Sequence, residues 1–188
     1  VRKMIKIKFG EESYEIKNNR YEITIGEFED LSNIYNDNEK GIVERWSDIL
    51  VYLGVSREVV DEFDMFDFRN IISNIKLFED ETNMFDIIKE IEIDGKKYIS
   101  YDEKFKLTVK ENTIIDEYIS KNTTKYLGEL MAVIYKLEGT DKTIWYDKSH
   151  LKYKAELFRK NITMDKLIPV LNFLTRKLVN DNNLMNEL

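Results

Sequence analysis

The stretch Arg20-Tyr-Glu-Ile-Thr-Ile-Gly-Glu27 recurs, type for type, as Lys104-Phe-Lys-Leu-Thr-Val-Lys-Glu111. The same offset of 84 keeps Trp46/Leu130, Ile49/Val133, Leu50/Ile134 and Leu53/Leu137 in register. A repeat that carries strand, cap and helix together sets the architecture before any single element is assigned. It predicts two copies of one packing unit, residues 1–88 and 89–188. The expected fold class is α+β, helix-rich overall, a tandem duplication of a β-hairpin followed by a small helical cluster.

Working outward, Met4–Phe9 alternates with period two and meets Gly10-Glu-Glu; residues 13–17 and 21–25 are also strand-like. This pattern predicts a hairpin or meander. Thr24-x-x-Glu27 is a capping box, and Ile25, Phe28, Leu31, Ile34 and Tyr35 share one face of the helix it opens. A second helix is expected from Gly41 to Leu53, with Gly54 as its stop. Ser56 caps a short third, and Asp67 precedes a fourth through Phe68, Ile71, Ile72 and Ile75.

The second copy repeats this programme. Ile91 to Ile99 gives the hairpin around Gly95, Thr108-x-x-Glu111 the box, and Tyr126–Leu137 the second helix. Beyond Leu137 the offset becomes 99, so the copy carries an insertion of about fifteen residues, 139–153. Register then resumes at Val59/Phe158, Phe63/Ile162 and Ile71/Val170. Pro169 falls early in the last helix, where a missing N–H costs least.

Composition bounds the function. The chain has 188 residues, 43% hydrophobic and 35% charged, a globular balance. A net charge of −7, with 29 basic residues scattered among acids, argues against nucleic acid as a partner. The chain has no cysteine and one histidine, which excludes disulfide and thiolate chemistry and any multi-histidine metal site. No apolar run is long enough to span a bilayer and no signal-peptide pattern opens the chain, so no membrane association is expected.

Candidate chemistry is sparse. Asp61-Glu-Phe-Asp-Met-Phe-Asp67 is acidic, but it has no glycine turn and its apolar residues break the ligand spacing of a calcium loop. Its acids are expected to solvate a loop and cap the next helix. His150, with Asp147 three residues before it, is read as sitting in a polar loop without a nucleophile. No catalytic, cofactor or metal residues are assigned. The insertion holds Trp145, Tyr146, His150 and Tyr153, the candidate partner-binding residues. Aromatics in a polar loop suit a protein–protein anchor, and equally a roof folded over the second helical cluster. The segment Asn180–Leu188 either frays or extends the last helix.

Leu50-Val-Tyr-Leu-Gly-Val-Ser-Arg-Glu-Val-Val-Asp-Glu-Phe-Asp-Met-Phe-Asp-Phe68 resembles a pattern of tailed-bacteriophage tail assembly proteins. Glu129–Lys136, Tyr146-Asp and Ala155-Glu-Leu-Phe158 are similar to segments of phage proteins encoded among structural genes. The resemblance implies a non-enzymatic protein of virion or tail assembly, a baseplate or connector component or a transient chaperone. It implies other phage structural proteins as partners, with a homo-oligomer possible, no cofactor, and a location in the virion or the host cytoplasm during assembly. The doubled layout departs from the best-known tail chaperones. A small acidic-site enzyme, or an inhibitor of a host protein, is the alternative of another class.

Overall fold

A computed structural model of the protein describes residues 4–79, 87–100, 107–141 and 146–186. The chain is helix-rich α+β and divides into two compact units. Unit 1 comprises residues 1–23 and 27–82; unit 2 comprises residues 24–26 and 83–188.

In unit 1, β1 (Met4–Phe9) and β2 (Glu12–Lys17) pair antiparallel with Phe9 opposite Glu12. Gly10 has φ +58, as a two-residue hairpin turn demands, and glycine adopts it without a Cβ penalty. Period-two patterning buries Ile7 and Ile16 and leaves the alternate lysines and glutamates outside. The expected strand over 21–25 is absent. Arg20–Glu22 is instead a short 3₁₀ turn, because the Asn19 side chain accepts the Tyr21 N–H at 2.8 Å and starts a turn there. Ile75 to Leu77 lies beside the end of β2, with Lys76 N–H donating to Asn18 O at 2.7 Å.

Four helices follow: α1 (Ile25–Tyr35), α2 (Ile42–Tyr52), α3 (Arg57–Glu62) and α4 (Met65–Ser73). Gly54, at φ +104, stops α2, and Ser56 Oγ accepts the Val59 N–H to start α3. The fourth helix begins earlier than its sequence suggests. Asp64, rather than Asp67, is its cap, accepting the Phe66 and Asp67 N–H groups at 2.8 Å each. Ile49, Leu50, Val59, Val60 and Phe68 are buried with Leu31 and Leu77. Tyr35 stacks on Phe78 at 4.3 Å, with Trp46 edge-on to Phe78 at 6.0 Å.

In unit 2, β3 (Glu90–Ile93) and β4 (Lys96–Ser100) form the second hairpin. Its loop is Asp94-Gly95, at φ 52 and φ 72, the two left-handed positions of a type I′ turn. A third strand, β5 (Tyr135–Leu137), pairs antiparallel with β4. This corrects the helix expected to Leu137: α6 (Leu127–Ile134) ends where Tyr135 turns extended and its backbone joins the sheet.

The other helices are α5 (Val109–Asn122), α7 (Lys148–Asn161) and α8 (Met164–Asn186). The helix α8 runs on through residues 180–186 and holds Pro169 in its second turn. Seven of the eight residues of α6 are buried, so it is the centre of the unit. It packs closely on α7, and glycine permits the approach: a Cβ on Gly128 would lie 2.9 Å from Ala155 O. Residues 24–26 complete the unit, with Ile25 fully buried and its N–H donating to Ile162 O at 2.8 Å.

Candidate functional site

Among the described residues, Glu29 is buried in unit 1, and three more charged side chains, Glu111, Lys136 and Lys154, are buried together in unit 2. Glu111 stands in the first turn of α5 and completes the expected capping box. Its Oε2 accepts the Thr108 N–H at 2.7 Å and the Thr108 hydroxyl at 2.9 Å, while Glu111 N–H donates to Thr108 Oγ1 at 3.2 Å. The other carboxylate oxygen meets Lys136 Nζ at 2.9 Å. Both partners are buried, Lys136 to 3% exposure and Glu111 to 5%.

Lys136 is the middle residue of β5, where side chains alternate across the sheet, and its Nζ also donates to Val133 O. Tyr146 lies over this pair. Its ring centroid is 5.1 Å from Lys136 Nζ and 4.6 Å from Lys110 Nζ, and its hydroxyl donates to Glu111. Burial alone would raise the Glu111 carboxyl, but Thr108, Lys136 and Tyr146 together hold it below the usual carboxylate range. Burial lowers the Lys136 ammonium against the opposing pull of Glu111.

Beside this pair, α7 brings a second lysine inside. Leu151, Lys154, Ala155 and Phe158 form its buried stripe. Lys154 is 1% exposed and its Nζ has no hydrogen-bond partner. Burial first, then the Lys136 charge, pushes the Lys154 amine down to about 7. His150, one turn earlier, has a buried Nε2 without a partner, and burial and Lys154 hold its imidazole below its ordinary value.

The residues expected to bind a partner therefore divide. Tyr146 faces inward onto the Lys136–Glu111 pair, whereas Tyr153, on α7, is 59% exposed. His150 is in the first turn of α7, not in a polar loop as its neighbours suggest, because Asp147 caps that helix. Asp147 Oδ1 accepts the Ser149 and His150 N–H groups at 3.0 Å each, so the Asp147 carboxylate holds backbone. Trp145 lies outside the described residues. Lys136, Lys154 and Glu111 were missed as a cluster, although Lys154 sits three residues after Leu151 and four before Phe158, inside an apolar helical stripe.

Unit 1 offers a shallow recess of about 160 Å³. Lys17 closes one side through bonds of 2.7 and 2.9 Å to both Glu27 oxygens, and nearby Tyr52 donates to Asp30 at 2.9 Å. The acidic stretch 61–67 is used in folding, through the Asp64 cap. Among the described residues no three His, Asp or Glu side chains converge as metal ligands, and no helix is long and apolar enough to cross a membrane.

No protein-family model matches the chain, and searches of curated proteins and of solved structures found no match either.

Proposed function

We propose that the protein is a non-enzymatic bacteriophage protein that acts in virion or tail assembly by binding other proteins, as a structural component of the particle. The phage assignment rests on the resemblance of Leu50–Phe68 and Glu129–Lys136 to tail assembly proteins. The binding mode is supported by one observation above others: Tyr153 stands 59% exposed on a helix whose opposite stripe is anchored by Ala155 and Phe158. A rigidly mounted, amphipathic aromatic is a low-entropy contact for a protein surface. The inward position of Tyr146 favours the roofing role for that residue and leaves Tyr153 as the described aromatic on the outside of the insertion.

Mass spectrometry of purified particles tests this reading. A stoichiometric presence fits a structural component. Absence from the particle, with capture of tail proteins from infected cells, would assign the transient chaperone role. Absence from both would refute the proposal.

A further inference from the structure

We propose that Lys154 is a proton-operated release for α7: protonating its buried, acceptor-less amine beside the Lys136 ammonium drives α7 away from the core of unit 2. The inference goes beyond the binding role and does not depend on the phage assignment.

The geometry carries it. An ammonium needs acceptors for three N–H groups and a counter-charge when removed from water. Lys154 has neither, since its Nζ is buried without a hydrogen-bond partner. The charged groups around it are committed elsewhere. From β5 comes Lys136, a like charge, and from α5 comes Glu111, which already serves Lys136, Thr108 and Tyr146. On α6, Glu129 pairs with Arg159 at 2.6 Å. On α7 itself, Asp147 holds backbone N–H groups, and His150 is a further base whose protonation Lys154 opposes. Tyr98 of β4 and Tyr135 of β5 meet Phe158 by their rings, and the Tyr135 hydroxyl donates to Ile88 O at 2.6 Å.

The sign follows from linkage. The Lys154 amine is held at about 7 when packed, against an ordinary value of 10.5. The open state therefore binds more protons between those values, so closure strengthens as pH rises and weakens as it falls. Below about 7 the folded group is itself protonated and the effect levels off. His150, also held below its ordinary value, acts in the same direction at lower pH.

Amide hydrogen exchange of α7 in the full chain, corrected for intrinsic rates, reads the opening directly. Protection should rise by about 20-fold from pH 6.5 to 8.5 in the wild type, and this rise should vanish in Lys154→Met. An equal rise in the variant, or none in the wild type, would overturn the proposal. An independent reading on the unaltered protein is the Lys154 Cε methylene shift against pH. A midpoint near 7 is expected, and one in the ordinary lysine range above 10 would overturn it.

Discussion

Replacing Glu111 by glutamine removes the negative half of the Lys136–Glu111 pair while keeping most of its shape. The introduced amide can still accept the Thr108 N–H through its carbonyl oxygen, so the cap is largely retained. What is lost is the counter-charge of an ammonium that is 3% exposed. Truncating one partner of a buried pair costs about 3–5 kcal/mol, chiefly because the remaining charge has no compensation. Here Lys136 keeps the Val133 carbonyl, and the Tyr146 ring lies 5.1 Å away, so the lower end, about 3 kcal/mol, is expected. The double variant Glu111→Gln/Lys136→Met removes the orphaned charge and should recover most of that loss. Amide exchange of α6, the buried centre of the unit, reads the stability of unit 2. Unchanged α6 protection in Glu111→Gln, or a double variant as weak as the single one, would refute the reasoning. The same pair predicts a pH response. Because the folded Glu111 value lies below 4.5, its contribution is present above that pH and is lost as pH falls through the folded value.

Three further substitutions test how the helices are placed. Gly128→Ala would put a Cβ 2.9 Å from Ala155 O and 2.8 Å from Arg159 Cγ, so α6 and α7 must separate. Urea unfolding should show a loss of about 1–3 kcal/mol, and a neutral result would deny the close helix crossing. Asp64→Ala removes the acceptor for two N–H groups of α4 and should cost about 1 kcal/mol, read as a lower thermal midpoint, whereas Asp67→Ala should cost less.

Much of the fold was legible because local chemistry and tertiary packing agree. Alternation marked both hairpins, Gly54 and Ser56 marked a helix stop and a helix start, and Thr108-x-x-Glu111 marked the start of α5. The misses have physical causes. Tyr135–Leu137 continues the apolar character of α6, and only pairing with β4 makes it a strand, a contact across more than thirty residues. Arg20–Glu22 alternates like a strand, but Asn19 captures its backbone first. Asp64 and Asp67 are both sound caps, and the choice between them depends on which helix start lets Phe68 reach the core. The charged cluster was least visible. Lysines in a polar-looking segment read as solvent-facing, and only the stripe Leu151, Ala155, Phe158 hints that Lys154 points inward. Within the insertion, Tyr153 faces out, while Tyr146 is occupied within the unit.

In the function we propose, this chain holds other phage proteins through the aromatic insertion of unit 2. Capture of the tagged full-length protein from infected cells, with quantitative mass spectrometry of what it retains, tests this most directly. Wild-type protein should retain a phage structural protein in near-stoichiometric amount. The Trp145→Ala/Tyr153→Ala variant, folded by circular dichroism, should lose most of it. Retention of no phage structural protein, or equal retention by the variant, would contradict the account.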